Sequence, residues 1–368
     1  MSIFFANPKS GFKDKKSKIL KKISSLIDSG DYVLGREVKA FESKFNKFLN
    51  NKGYFVSCAN GTDAITLALL AHNVTSGLVI TPSHTAPASV LGIMNAGCKP
   101  LFVDVDPDTA LISIASIAKK LQSTKNIKAI LAVHLYGHGI DIPALLKVSR
   151  AHDCVVIEDC AQSAGTEIYR KSSGTLAQAG TFSFFPTKNL PALGDGGGVW
   201  VPTKKLKQKI ESLRQYGWDS SRIVTVPNGM NSRLDELQAA ILQIRLKDLK
   251  KDILKRRNIA YLYNSQLSNY FQRFLYPSFQ VCSFHLYVVK VKHRTKLMNY
   301  MKEHDIFLGI HYTPPNHQNG LLRQFLATLP ITEKITKEVV SLPIHPELNL
   351  VTHKKIIKIL NSFETTLK

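Results

Sequence analysis

Short apolar segments alternate with longer amphipathic segments along the first half of the chain. The apolar segments predict strands at 54–57, 77–80, 100–103, 129–133 and 154–157, followed by 180–185 and 198–201. Between the first five lie segments with apolar residues at helical spacing, at 62–72, 86–96, 112–121 and 142–152. Strands and helices that alternate in this way favour a mostly parallel sheet with helices on both faces.

The pattern changes after the last of these strands. Residues 204–216 and 232–249 read as two long amphipathic helices. A mixed segment follows, with a strand at 285–291, a helix at 295–304 and a terminal helix from about 351. We therefore predict a large α/β domain at 1–249, which includes an N-terminal helical segment, and a smaller α+β domain at 250–368.

The chain is strongly basic. Its 49 Lys and Arg residues exceed its 27 Asp and Glu residues by 22 charges over 368 residues. The densest basic stretches keep apolar residues at helical spacing, which is more typical of solvated helix faces than of nucleic-acid surfaces. No nucleic-acid-binding motif accompanies them, so nucleic acid is an unlikely partner and the charge favours anionic substrates.

The expected location is cytoplasmic. The chain has no run of about 18 apolar residues that would form a membrane span, and its first residues lack the pattern of a signal peptide. Its five cysteines are scattered and none are spaced as Cys-x-x-Cys. An odd number without a framework indicates a reducing compartment rather than disulfides.

The segment around Lys188 carries the strongest chemical signal. A buried-type strand ends at Pro186, and Lys188 follows just ahead of the glycine-rich turn 194–198. A lysine that is partly removed from water has a lowered pKa, and its neutral amine can form a Schiff base. Because the chain contains many surface lysines, an ordinary exposed lysine remains the alternative.

Two other strand ends carry polar groups. Glu158 and Asp159 end a strand of the parallel sheet, at the edge where such sheets bind ligands; one of them could instead cap the next helix. Since neighbouring strand residues point to opposite faces, they should not share a role. Asn60-Gly-Thr-Asp marks a strand–turn–helix junction that fits either a phosphate site or an ordinary capped turn.

Several other sites are excluded. The chain has no Gly-Lys dipeptide and hence no P-loop, and the turn at 194–198 lacks the third glycine of the dinucleotide fingerprint. His134 and His138 lie four residues apart, but Gly137 interrupts any helix that would align them. His311 and His317 flank a loop without an obvious third ligand, so no metal site is expected.

Together these segments resemble the nucleotide-sugar aminotransferases of the DegT/StrS type, which are fold-type I enzymes dependent on pyridoxal 5′-phosphate (PLP). The resemblance runs through nearly the whole chain. The matching motifs are Asn60-Gly-Thr-Asp-Ala, Val133-His-Leu-Tyr-Gly, Ile157-Glu-Asp-Cys-Ala-Gln, the Lys188 stretch, Asn231-Ser-Arg-Leu-Asp-Glu-Leu-Gln-Ala-Ala-Ile-Leu, Gly309-Ile-His-Tyr and Ser341-Leu-Pro-Ile-His-Pro.

The resemblance implies roles for matching residues. Lys188 would form the Schiff base with the cofactor and later move protons, and Asp159 would pair with the pyridine nitrogen. Gln162 would lie against the ring or its hydroxyl group. The cofactor phosphate would be held by Gly61, Thr62 and Ser183.

The same resemblance implies a homodimer with shared active sites. Asn231 is expected to reach the cofactor phosphate of the neighbouring subunit. Arg233 would meet the carboxylate of glutamate or the sugar diphosphate, because guanidinium groups suit both anions. A substrate-binding loop would contain His311, Tyr312 and His317.

The chain departs from the family at the residue that stacks on the cofactor ring. Many relatives have an aromatic residue where this chain has Ala86. His84 is expected to supply the stacking plane instead, although an ordinary loop histidine is an equal alternative.

The implied reaction transfers an amino group from L-glutamate to a nucleotide-linked keto-deoxyhexose, with dTDP as the expected nucleotide. The Leu193-Gly-Asp-Gly-Gly ending resembles relatives that act at C3 rather than at C4. The alternatives are a C4 aminotransferase, a PLP-dependent sugar dehydratase and a regulatory protein that keeps the fold without catalytic activity. In the dehydratases of this fold a histidine replaces the lysine that corresponds to Lys188. An amino sugar for a surface polysaccharide or lipopolysaccharide is the family-level expectation.

Overall fold

A computed structural model describes residues 2–9, 11–49 and 52–367. Apolar runs form its strands: in Ile127–Val133 every residue but one is buried, as expected for a strand covered on both faces. The strands are β1 (Ile3–Phe4), β2 (Tyr54–Cys58), β3 (Leu78–Pro82), β4 (Lys99–Val103), β5 (Ile127–Val133), β6 (Val155–Asp159), β7 (Glu167–Ile168), β8 (Lys171–Ser172), β9 (Ala179–Ser183), β10 (Gly197–Val201), β11 (Gln272–Arg273), β12 (Gln280–Val281), β13 (Tyr287–Lys290), β14 (Ile306–Phe307) and β15 (Val339–Leu342).

The helices lie mainly between these strands. They are α1 (Lys16–Ser29), α2 (Arg36–Phe48), α3 (Gly61–Ala71), α4 (Pro87–Asn95), α5 (Ile114–Ser123), α6 (Ile142–Ser149), α7 (Lys204–Leu213), α8 (Glu236–Leu246), α9 (Leu249–Gln266), α10 (Arg294–Glu303), α11 (Pro330–Glu338) and α12 (Leu350–Thr365). No helix within the described ranges is long and apolar enough to cross a membrane.

The central sheet has seven strands in the order β2-β10-β9-β6-β5-β3-β4. The contacts from β9 through β6, β5 and β3 to β4 are parallel, whereas β10 runs antiparallel to both β2 and β9. The predicted fold class, α/β with a mostly parallel central sheet, is confirmed. Because β10 is reversed, its first residue lies at the same edge as the carboxyl ends of its neighbours.

A separate three-stranded antiparallel sheet, β11-β13-β15, lies in the C-terminal part. Its apolar cluster includes Tyr263, Tyr287 and Leu360, all fully buried. The N-terminal strand β1 also pairs with β14, so the start of the chain contacts this part. The division into domains at residue 250 stays a prediction; the residue lies at the start of α9.

The helix predicted at 232–249 is wrong in its bounds. Residues 231–235 are not helical. Asn231 and Asp235 form isolated β-bridges, and α8 begins only after Asp235, whose backbone is extended. Helix α8 ends at Leu246, and α9 follows it as a distinct helix. The apolar spacing continues across both junctions, which is why the pattern alone did not separate them.

Candidate active site

The ends of several strands of the central sheet meet around one cavity. Six of the predicted site residues line it: Gly61, Thr62, Asp159, Gln162, Ser183 and Lys188. The sequence placed them in distant segments, and the parallel sheet brings them to one edge.

The turn between β2 and α3 forms an anion cradle. The Asn60 side chain caps α3 by accepting a hydrogen bond from the amide of Asp63 at 2.9 Å. The amides of Gly61 and Thr62 lie in the first turn, where a helix leaves its N–H groups without helical partners. A Cβ atom on Gly61 would lie 2.7 Å from Cβ of Ser183, so only glycine lets the two segments approach this closely. This cradle fits the phosphate of PLP.

Lys188 follows β9 at the cavity wall. Removal from water lowers the pKa of its ammonium group to about 8, although the negative charge of Asp159 opposes this shift. The neutral amine that Schiff-base chemistry requires is therefore far more populated near physiological pH than it is in an ordinary lysine.

Asp159 ends β6 and faces the start of α4. Its carboxylate accepts hydrogen bonds from the Ser89 hydroxyl at 2.8 Å and from the amide of Ala161 at 3.0 Å. Both donors hold the carboxylate in place at the cavity wall, which fits a partner for the pyridine nitrogen of PLP.

Glu158 points to the other face of the sheet, as its position next to Asp159 predicts. It lies 2.9 Å from Nε2 of His134 and accepts backbone hydrogen bonds from Gly174, Leu176 and Ala177 at 2.8–2.9 Å. His134, Glu158 and Cys160 also form the one group in the described ranges whose ligand atoms are close enough together for a metal ion. Because backbone amides already occupy the carboxylate, this cluster is explained by hydrogen bonding.

Gln162 connects the cavity with the C-terminal part of the chain. Its Oε1 accepts a hydrogen bond from the amide of Tyr136 at 2.7 Å, and its Nε2 donates to the hydroxyl of Tyr312. The hydroxyl of Tyr136 in turn donates to the carbonyl of His311 at 2.9 Å. Burial, and next the positive charge of Lys188, lower the pKa of His311 to about 4. Hydrogen bonds from Gln162 and Tyr136 therefore connect the predicted substrate loop to the segments around the cavity.

His84 lies behind the cavity wall. Its Nε2 is 2.7 Å from the hydroxyl of Tyr136, its side chain is fully buried, and burial lowers its pKa to about 3. The next two residues, Thr85 and Ala86, line the cavity instead. The stacking role of His84 stays a prediction, and it is not supported by the structure, because His84 is not among the residues that line the cavity.

His317 is placed as an anchor of its loop. Its Nδ1 lies 2.7 Å from the Ser83 hydroxyl and its Nε2 lies 3.3 Å from Glu333. The histidine is buried and is absent from the cavity lining. It therefore holds the predicted substrate loop against the segment that follows β3.

Asn231 and Arg233 do not line the cavity of their own chain. Asn231 is exposed, and the guanidinium of Arg233 lies 5.8 Å from the centre of the Tyr216 ring. Ser232, between them, donates to Asp63 at 2.7 Å and accepts from the amide of Ala59 at 3.2 Å. Ser232 was not among the residues predicted from the sequence, although it lies within the motif that begins at Asn231.

Comparisons with known proteins agree with this geometry. The model of the DegT/DnrJ/EryC1/StrS aminotransferase family matches residues 13–361. A dTDP-3-amino-3,6-dideoxy-alpha-D-galactopyranose transaminase from Aneurinibacillus thermoaerophilus is 38% identical over 351 residues, 95% of this chain and 96% of that protein. A UDP-N-acetyl-3-dehydro-alpha-D-glucosamine 3-aminotransferase from Acidithiobacillus ferrooxidans is 35% identical, covering 92% and 91%. The crystal structure of S. venezuelae DesV with a ketimine intermediate superposes with a TM-score of 0.94 at 30% identity, covering 98% of both chains.

Proposed function

Because the chain belongs to the DegT/DnrJ/EryC1/StrS aminotransferase family and is a PLP-dependent nucleotide-sugar aminotransferase, we propose that it transfers the amino group of L-glutamate to C3 of a dTDP-linked 3-keto-deoxyhexose. The observation that carries the proposal is Lys188, with its pKa lowered to about 8, in one cavity with the phosphate cradle and Asp159.

The choice of C3 is supported by two similarities. The relatives from Aneurinibacillus and Acidithiobacillus both carry C3 chemistry in their names. The turn Leu193-Gly-Asp-Gly-Gly also resembles that of the C3 enzymes. The nucleotides in those two names differ, being dTDP and UDP, so the dTDP assignment rests on the relative of higher identity.

The six predicted site residues of the cavity divide four tasks among them in this reaction. Bound PLP supplies an electron-withdrawing ring that stabilises negative charge on the carbon next to the transferred nitrogen. Lys188 would hold the cofactor and then carry the proton between that carbon and the cofactor. Asp159 would keep the pyridine nitrogen protonated, Gln162 would contact the ring hydroxyl, and Gly61, Thr62 and Ser183 would bind the phosphate. The amino group leaves glutamate as 2-oxoglutarate forms, and the keto-sugar accepts it.

We further propose that the enzyme works as a homodimer with shared sites. Asn231 and Arg233 are the predicted contacts to the neighbouring site and the substrate, and both lie outside the cavity of their own chain. The same loop exposes Ile223 and Val224, with 61% and 64% of their surface accessible, which favours a covered surface in the assembly. The five cysteines are unpaired and buried, which supports the predicted cytoplasmic location.

A spectroscopic and product assay tests the proposed reaction. The PLP-loaded protein should have a visible absorbance band that fades when L-glutamate is added and returns with the keto-sugar. Nuclear magnetic resonance of the product should then locate the new amine at C3. A product aminated only at C4, or a sugar that has lost water instead of gaining nitrogen, would replace the proposal with one of the alternatives. Lys188→Ala serves as the control without the reacting amine.

A further inference from the structure

Three charged side chains line the cavity: Asp159, Lys188 and Asp195. The carboxylate of Asp159 has two hydrogen-bond donors, and Lys188 is the reacting amine. Asp195 is exposed at the cavity mouth and has no hydrogen bond or ion pair with any residue of the described ranges. The chain carries a net charge of +22, yet this cavity-lining carboxylate has no ion-pair partner in the part of the chain that the structure describes.

The backbone fixes Asp195 at this position. Gly194 has a φ of +150°, which side-chain-bearing residues rarely adopt. A Cβ atom on Gly197 would lie 2.2 Å from the carbonyl oxygen of Asn60, and one on Gly196 would lie 3.1 Å from Leu234. The turn is therefore packed directly against the phosphate cradle. Since β10 starts at Gly197 and runs antiparallel to β9, Asp195 lies at the edge where β9 ends.

The two substrates differ in what they present to a carboxylate. The two carboxylates of L-glutamate offer no hydrogen-bond donor to another carboxylate. The reacting end of a nucleotide-linked keto-sugar is uncharged and has hydroxyl or amide N–H groups on the carbons beside the keto group. A carboxylate accepts hydrogen bonds from such donors, and these charge-assisted bonds are among the stronger ones in proteins.

We propose that Asp195 is a specificity-determining residue for the sugar substrate, accepting a hydrogen bond from the donor group next to the keto carbon. It selects sugars that carry such a donor and takes no part in binding the amino donor. The inference rests on the proposed function, since it assumes a nucleotide-linked sugar in this cavity.

Measuring the two half-reactions separately distinguishes a role of Asp195 in sugar binding from a general role in the cavity. The glutamate half-reaction is measured as the loss of visible absorbance when L-glutamate is added. The sugar half-reaction is measured in the reverse direction, with a dTDP-linked 3-amino-3,6-dideoxyhexose. In Asp195→Asn, which has the same size and no charge, KM for the sugar should rise about tenfold because a charge-assisted hydrogen bond is lost. The glutamate half-reaction should stay within about twofold of the wild type, as should both half-reactions in the control Asp14→Asn, an exposed residue away from the cavity.

Three results would overturn the inference. The first is an unchanged KM for the sugar in Asp195→Asn. The second is equal slowing of both half-reactions, which would assign a general role in the cavity. The third is a change in the molar mass of the assembly, which would assign Asp195 to a contact with a second copy. If the wild type itself fails to react with L-glutamate, the proposed function fails and not the assignment of Asp195.

Discussion

The hydroxyl group of Ser89 donates a hydrogen bond to Oδ2 of Asp159 across 2.8 Å, and both side chains are buried. Ser89 lies in the first turn of α4, so this contact joins the start of that helix to the end of β6. It fixes the orientation of the carboxylate at the cavity wall.

Replacing Ser89 with alanine should weaken the binding of PLP. Loss of a hydrogen bond to a buried charged group costs about 1.5–3 kcal/mol, part of which the amide of Ala161 recovers, so we expect an increase of about tenfold in the dissociation constant. Fluorescence titration of the cofactor-free protein with PLP measures this dissociation constant. Ser76→Ala, at an exposed position, is the matched control and should bind PLP normally. Equal affinity of Ser89→Ala and the wild type would remove this role.

The pKa of Lys188 predicts the pH dependence of cofactor attachment. Its ammonium group has a pKa lowered to about 8, so the reactive neutral amine becomes dominant as the pH rises through that value. The rate at which visible absorbance appears after mixing with PLP should therefore increase between about pH 7 and 9. Because the charge of Asp159 raises this pKa, Asp159→Asn should move the midpoint to lower pH. A midpoint above 10 in the wild type would contradict the assignment.

A buried ion pair supports the phosphate cradle. Nη1 of Arg214 lies 2.7 Å from Glu42 and also donates to the carbonyl of Ser57 at 2.6 Å, near the end of β2. Arg214→Ala leaves the Glu42 carboxylate buried without its cation, which typically costs about 3–5 kcal/mol. Chemical denaturation should show this loss. Glu211→Gln, which breaks the more exposed pair with Lys207, should cost less than about 0.5 kcal/mol.

Buried histidines should make the protein sensitive to acid. Burial lowers the pKa of His138 to about 3 and the pKa values of His345 and His353 to about 4. In the unfolded chain these rings take up protons near pH 6.5. The unfolded state therefore binds more protons, and the free energy of unfolding should fall as the pH drops from about 6.5 towards 4, by about 1.4 kcal/mol per pH unit for each ring.

His353 allows this expectation to be tested. Neither ring nitrogen has a hydrogen-bond partner in the described part of the chain. The centre of the His353 ring lies 4.3 Å from the centre of the Tyr263 ring. His353→Phe keeps the aromatic contact and removes the titrating group, so the fall in stability between pH 6.5 and 4 should become shallower. The exposed His304→Phe is the control, with an unchanged slope. An identical slope in both variants would show that His353 does not contribute.

Local sequence patterns determined much of the fold. All seven strands of the central sheet were predicted close to their observed bounds, because residues such as those of β5 are apolar on both faces. The positions of Gly61, Asp159 and Lys188 at strand ends could likewise be read from the chain, since parallel strands carry their ligand-binding groups at their carboxyl ends. The roles expected of these residues came from the resemblance of their motifs to those of the family.

Only the tertiary structure decided which side chains meet across the sequence. The contacts of Ser89 with Asp159 and of Gln162 with Tyr312 join residues that are 70 and 150 positions apart, and no local periodicity encodes them. The same holds for His84, whose contact with the hydroxyl of Tyr136, 52 positions away, places its ring outside the cavity lining. Short-range patterns are set by backbone geometry, whereas these contacts depend on how whole strands and helices pack against one another.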